Sequence, residues 1–340
     1  MDGKPLLAVT MGDPAGIGAE VIAGAYDTGR ETADLLAVGD AAVVEKAVEI
    51  TDIDVDVRAV SDVADARFEA GTLDVLDLNR IEDHEWGDLR EEYGTASLAY
   101  VERAIDLAVD GDVDGIVTAP IHKQATRMAG SEHAGHTGLL ASRTGVEDYS
   151  MMLVEGDLRV THVSTHVPLR EACDLVTTEN VLDTVRVTRE GLLDLGLSEP
   201  RIAVAGLNPH ASDGGLLGDE ERSEIEPAVG EAREEGIDVE GPESPDTVYV
   251  QAARGAYDCV VSMYHDEGHI PIKMLGFSEG GEVSGVNMTV GLPIIRTSVD
   301  HGTAFDIAGE GIASPRSMED AIEVATTAVR NRRARGAHGV

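Results

Sequence analysis

Short, almost continuous apolar runs alternate along this chain with longer stretches whose apolar residues recur at helical spacing. The alternation is that of an α/β fold with parallel strands, because strands covered on both faces read as unbroken apolar runs. The expected strands are Leu6 to Thr10, Leu35 to Val38, Leu73 to Leu78, Gly115 to Thr118, Arg201 to Gly206, Cys259 to Met263 and Pro293 to Thr297. Helical stretches lie between them, among them Ala96 to Val109, Glu179 to Leu195 and Ser317 to Arg330. Ser150 to Val163 breaks the order and predicts a hairpin turning at Gly156-Asp157, part of a second domain or a dimer arm. No low-complexity linker divides the chain, so two domains joined by ordinary elements are expected: 1–125 with 290–340, and 126–289. The acidic stretch Asp219 to Glu243 and the glycine-rich insert Ser278 to Gly285 read as solvated surface, the insert as a loop near a site.

Composition narrows the classes. At 340 residues and 42% hydrophobic, the chain can build one large or two ordinary cores. No apolar run approaches the ~20 residues of a membrane span, and the N-terminus is not a basic and then apolar leader, so a cytoplasmic protein is expected. Cys173 and Cys259 are too few for a disulfide framework and lack zinc-type spacing, which makes reduced thiols the default. A net charge of -38 repels nucleic acid and anionic membrane and suits a surface working in high salt. Only four lysines occur, and two of them, Lys123 and Lys273, fall inside the motifs below.

Eleven histidines occur, and nine lie between His122 and His301. His166, His210 and His265 each stand at the end of an expected strand, where loops of α/β proteins form the active edge. Three imidazoles suit zinc or cobalt, and the nearby Asp246 and Asp266 extend the choice to magnesium or manganese. Rival groupings use His162 with His166 on a strand, or His133 with His136 on a helical turn. A second constellation has cationic character: His136-Thr137 opening a helix, with Lys273, Asn287 and Arg296, would hold a phosphate and a carboxylate. The start Gly12-Asp-Pro-Ala-Gly-Ile-Gly-Ala-Glu20 follows a strand and opens a helix, but it is neither a P-loop nor the G-x-G-x-x-G fingerprint. The segment from His301 through Gly302, Thr303, Ala304 and Asp306 to Gly309 is punctuated by glycine, which lets backbone approach a flat ligand.

These two glycine-rich segments resemble the G-I-G-x-E and H-G-x-A-x-D-I-A-G loops of the isocitrate and isopropylmalate dehydrogenase superfamily. A closer set is Met11-Gly-Asp-Pro-Ala-Gly-Ile-Gly18, Ala119-Pro-Ile-His-Lys123, Gly135-His-Thr137, Leu207-Asn-Pro-His210, Tyr264-His-Asp266, Gly285-Val-Asn287 and Arg296-Thr-Ser-Val-Asp-His-Gly302. It resembles the 4-hydroxythreonine-4-phosphate dehydrogenase family from residue 6 to about 325. The resemblance implies two α/β domains with an active-site cleft between them, and a homodimer in which His166 and His210 of one subunit and His265 of the other hold a divalent ion. It further implies that His136, Thr137, Lys273, Asn287 and Arg296 bind substrate. Gly16, Gly18, Asn208 and the loop through His301, Gly302, Thr303, Ala304 and Asp306 would line the NAD or NADP pocket.

The implied reaction oxidises 4-phosphohydroxy-L-threonine at C3 and releases carbon dioxide, giving 3-amino-2-oxopropyl phosphate for pyridoxal phosphate synthesis. Such chemistry needs a group to move a proton, for which Lys123 and Asp246 are the candidates, with Asp266 beside the metal. The chain departs from the family pattern at Gly138, where an acidic residue is expected after His-Thr, and at the insert Ser278 to Gly285. Both departures lie near substrate positions, so the alternative substrates are 4-phospho-D-threonate and 4-phospho-D-erythronate, which lack the amino group. Two other classes are compatible with the histidines: a metal-dependent hydrolase, and a dimer merely stapled by metal.

Overall fold

Parallel strands form where the apolar runs predict them, and the computed structural model describes residues 3–131, 136–278 and 285–336. Its elements group into two compact units, Met1–Gly145 with Pro293–Val340, and Val146–Leu292. The first unit begins β1 (Leu6–Thr10), α1 (Gly18–Thr32), β2 (Asp34–Gly39), α2 (Ala41–Thr51), β3 (Asp56–Val60) and β4 (Thr72–Asp77). It continues α3 (Glu91–Asp110), β5 (Gly115–Thr118), α4 (Lys123–Met128) and α5 (His136–Thr144). The second holds β6 (Ser150–Glu155), β7 (Leu158–His162), α6 (Leu169–Asp174), α7 (Thr178–Asp194) and β8 (Ile202–Ala205). Then follow α8 (Glu226–Glu234), β9 (Val239–Glu243), α9 (Pro245–Ala253), β10 (Cys259–Ser262), α10 (His265–Ser278) and β11 (Val286–Val290). The chain returns to the first unit with β12 (Ile295–Val299) and α11 (Arg316–Ala334).

In the first unit the strand order is β3-β4-β2-β1-β5-β12, and all the pairs are parallel. The chain runs outward from β1 to one side and then returns to lay β5 on the other. The C-terminal ends of β1 and β5 therefore flank a switch point, where ligands of open α/β sheets settle. In the second unit the order is β11-β6-β7-β10-β8-β9, with β11, β6 and β7 antiparallel and the remainder parallel. The hairpin expected over Ser150 to Val163 is the β6–β7 pair. Among the described residues no helix is long and apolar enough to cross a membrane.

Gly94 of α3 has no Cβ where one would come 2.1 Å from the Ala125 carbonyl, so α4 lies against α3 within the first unit. The stretch Asp219 to Glu243 is not merely solvated surface. It forms a turn of π-helix at Glu221–Ile225, then α8 and the edge strand β9, and it buries Ile225, Ala228, Val229 and Ala232. Small apolar residues spaced among acids conceal that face. The insert Ser278 to Gly285 lies almost wholly outside the described residues.

Candidate active site

In the first unit three loops meet at the strand ends. Asp13 N–H donates to the Pro120 carbonyl (2.9 Å), an approach open because Gly12, at φ 72°, lacks a Cβ that would lie 2.3 Å from that oxygen. The loop after β12 crosses the start of α1: Ile17 N–H donates to Thr303 O (3.1 Å), and a Cβ on Gly16 would sit 3.0 Å from the same oxygen. Gly18 is packed more tightly, with its Cβ position 1.9 Å from Met11 O. Glu20, 1% exposed, accepts Gly309 N–H (2.8 Å) and Gly311 N–H (3.1 Å), pinning the far end of the loop. Phe305 lies on the His122 ring at 4.7 Å. The expected cofactor residues Gly16, Gly18 and His301 to Asp306 thus form one glycine-lined surface at a helix N-terminus.

Asp13 underlies this surface at 1% exposure. Oδ1 accepts Ala15 N–H, Oδ2 has no hydrogen-bond partner, and burial raises the carboxyl to about 6 against the pull of the Ala15 and His122 amides. The unfolded carboxyl ionises near 3.8, so between there and about 6 the native state keeps a proton that the unfolded state has shed. Stability drawn from this group is therefore full below 3.8 and lost as pH rises through about 6. Asp13→Asn is expected to remove that dependence. Urea unfolding at pH 4 and 7 should show the parent chain losing roughly 2.5 kcal/mol relative to the variant, and equal changes in both would refute the assignment.

Deeper in the same unit, Arg296 on β12 is 3% exposed and donates Nη2–H to Thr118 Oγ1 (2.7 Å). Burial lowers it to about 10, so it is still a cation at neutral pH. His136, first residue of α5, is held neutral, its pKa lowered well below normal by burial and then by the Arg296 charge. Its buried Nε2 has no hydrogen-bond partner. A buried guanidinium and a buried imidazole nitrogen without a hydrogen-bond partner, at a helix start, have the chemistry to receive an anion. Thr137 follows as the second residue of that helix. Lys123 is the exposed first residue of α4.

The second unit holds the other candidates. His265 opens α10, and its Nδ1 lies 2.7 Å from Asp266 Oδ1. A carboxylate accepts, so Nδ1 carries the proton and Nε2 presents its lone pair, as in a carboxylate-oriented metal ligand. The His166 ring lies 5.7 Å from that of His265, and both line a cavity of about 270 Å³ with Thr165, Tyr264 and Asp266. His210 borders a neighbouring cavity of about 480 Å³ that also touches Tyr264, Asp266 and Asp246. His210 Nδ1 is 3.7 Å from Asp246 Oδ2, and Asp246 accepts the Ser244 hydroxyl at 2.6 Å. The chemistry of these donors fits a divalent ion. Yet among the described residues no three His, Cys, Asp or Glu side chains come together closely enough to hold one. The expected triad does not converge within one chain.

Asn287 sits on β11 with its Oδ1 buried and without a hydrogen-bond partner, and Lys273 is half-buried on α10. The Asn208 amide donates to Glu220 (2.8 Å) and Glu221 (2.9 Å), which holds the His210 loop. The sequence reading missed Glu221 and Glu20, whose carboxylates anchor the two loops, although Glu20 stands inside the quoted G-I-G-x-E motif. It also missed Glu267, which lines the larger cavity and is pushed up to about 8 by burial. His162, paired with His166 in one of the rival groupings, is lowered to about 3 by burial and then by the neighbouring His269.

Comparison with known proteins adds independent information. The family model described as pyridoxal phosphate biosynthetic protein PdxA matches residues 31–325. D-threonate 4-phosphate dehydrogenase of Salmonella typhimurium is 47% identical over 324 residues, 94% of this chain and 97% of the relative. 4-Hydroxythreonine-4-phosphate dehydrogenase of Beijerinckia indica is 45% identical over 321 residues, 94% of each. The crystal structure of a 4-hydroxythreonine-4-phosphate dehydrogenase from Burkholderia phymatum superposes with a TM-score of 0.84 at 43% identity, over 96% of this chain and 99% of that one.

Proposed function

Because the chain belongs to the family of the pyridoxal phosphate biosynthetic protein PdxA, and is thereby a dehydrogenase of a small phosphorylated hydroxy acid, we propose that it oxidises 4-phospho-D-threonate at C3. Gly138 carries the choice of substrate. Phosphothreonate and phosphohydroxythreonine differ at C2, hydroxyl against ammonium, and an ammonium calls for an acidic partner. Where the family pattern has that acid after His136-Thr137, this chain has no side chain at all. The naming of the 47%-identical Salmonella relative points the same way. The 45% identity to a 4-hydroxythreonine-4-phosphate dehydrogenase supports the amino acid as the second reading.

In this proposal Arg296, Thr137 and His136 receive an anionic end of the substrate. The loop from His301 to Asp306, with Gly16 and Gly18, lies against a nicotinamide dinucleotide. When bound, the dinucleotide takes up hydride from C3, and a divalent ion acidifies the hydroxyl and polarises the ketone. Asp266 keeps His265 Nε2 free to donate. The product ketone is β to the carboxylate, so loss of carbon dioxide leaves a three-carbon hydroxyketone phosphate once a proton returns to C2. Asp246, on the same cavity as His210 and Asp266, is the group assigned to that transfer.

The missing ligand convergence is met by a second subunit. Val250 (50% exposed), Ile270 (58%) and Met274 (67%) surround the His210 cavity, a cluster of exposed apolar side chains suited to burial against another copy. There, His166 and His210 of one subunit meet His265 of the other.

Reduced-nicotinamide absorbance in high salt with a divalent ion tests the reading, with 4-phospho-D-threonate, 4-phospho-D-erythronate and 4-phosphohydroxy-L-threonine each offered with NAD and NADP. Phosphothreonate is expected to lead in kcat/KM by roughly tenfold or more, the worth of one charge-assisted contact. A lead for the amino acid would establish the second reading. No reduction with any substrate, from folded and metal-loaded protein, would reject the dehydrogenase chemistry.

A further inference from the structure

Four histidines of the second unit, His162, His166, His265 and His269, lie together, and the proposed function uses two of them. His162 ends β7 at 2% exposure and reaches α10 because residue 268 is glycine; a Cβ there would lie 2.6 Å from His162 Nε2 and 2.6 Å from Ser262 Oγ. His162 Nδ1 is 3.2 Å from the Met151 carbonyl, which only accepts. Nδ1 therefore carries the proton and Nε2 the lone pair. His269 Nδ1 is 3.2 Å from that Nε2 and 2.9 Å from His265 O, two acceptors, so it too is protonated. Fixed from both sides, the His269 ring stacks on that of His265, one helical turn earlier, at 3.6 Å between centroids and 11° between planes.

We propose that His162 and His269 are positioning residues: the relay from Met151 O through both rings sets the plane of His265, and with Asp266 on its edge holds Nε2 toward the metal. The inference rests on His265 being a metal ligand. An unbuttressed imidazole at a helix start turns freely about χ1 and χ2, and ordering it costs affinity each time a metal binds. Stacked against His269 and bonded to Asp266, the ring is ordered beforehand.

The test is titration of Co(II), followed by its visible absorption and by chelator competition, into metal-stripped full-length protein in high salt. His269→Leu is expected to weaken Co(II) binding about 10- to 100-fold, with circular dichroism and molecular mass in solution unchanged. His269→Asn, which returns an N–H donor at the δ position, should recover most of the loss. Should the leucine variant fail to fold, His269→Gln, whose amide lies one carbon too far out, should show the same weakening beside an intact Asn variant. Co(II) binding within twofold of the parent by the Leu or Gln variant, with an unaltered spectrum, would overturn the positioning role while His265→Ala still abolished binding. Unchanged binding by His265→Ala would instead remove the metal assignment, and this inference with it.

Discussion

Replacing Arg296 with methionine is expected to lower kcat/KM by roughly a thousandfold while leaving the chain as stable as before or more so. The two effects separate because the guanidinium costs the fold more than it returns. At 3% exposure it is a desolvated cation, depressed by burial to about 10, and its bond to Thr118 is to a neutral hydroxyl. Methionine of similar length keeps the volume filled and removes the buried charge. With substrate present, the same charge supplies two charge-assisted hydrogen bonds to an anion, each about 1.5–3 kcal/mol. At about 1.4 kcal/mol per factor of ten, their loss gives the stated range. Arg296→Lys should rescue little, since an ammonium cannot make the forked contact. Initial rates against thermal melts read both arms. An Arg296→Met enzyme with parental kcat/KM would show that the anion binds elsewhere.

Such a site is only half visible in a sequence. β1 and β5 appear within the expected residues because their apolar runs are buried from Leu7 to Thr10 and from Gly115 to Thr118. α3 begins at Glu91, ahead of the expected Ala96, since Glu91 and Glu92 favour the positive end of the helix before its apolar period starts. β9 was illegible: Val239–Glu243 carries a glycine, a proline and two acids, and it becomes a strand only by pairing with β8 at the sheet edge. That His166, His210 and His265 follow the ends of β7, β8 and β10 could be read from spacing alone. Spacing could not reveal that they do not converge in one chain, nor that His162 meets His269 across 107 positions. Arg296 and His136 lie 160 positions apart in sequence, and only the fold puts the cation's charge on the imidazole. Local pattern fixes elements, whereas the polarity of a buried pocket depends on which elements the topology brings side by side.

The loop bearing His210 makes this plainest. His210, Ala211, Ser212 and Asp213 hold φ of 55°, 50°, 63° and 47°, and Gly214 and Gly215 continue the left-handed run. Nothing in Pro-His-Ala-Ser-Asp announces it, since each non-glycine residue there costs about 1–2 kcal/mol. The turn persists because its surroundings over-determine it. Asn208 N–H and Nδ2–H both donate to buried Glu221 (2.7 and 2.9 Å), and Ser212 O accepts Gly215 N–H and Leu217 N–H (3.0 and 3.1 Å). Strain held this firmly at the proposed ligand is what a site shaped for function at the expense of stability would carry. His210→Ala and His210→Gly are both expected to lose activity by about a thousandfold or more, the scale of removing a metal's contribution to the reaction. They should part in stability. Glycine accepts φ near +55° freely and alanine does not, so metal-free His210→Gly should resist urea by about 1 kcal/mol more than His210→Ala. Activity surviving in either variant would take His210 out of the metal site. Equal unfolding midpoints would mean that the turn relaxes once the imidazole is gone, and that the histidine itself keeps it strained.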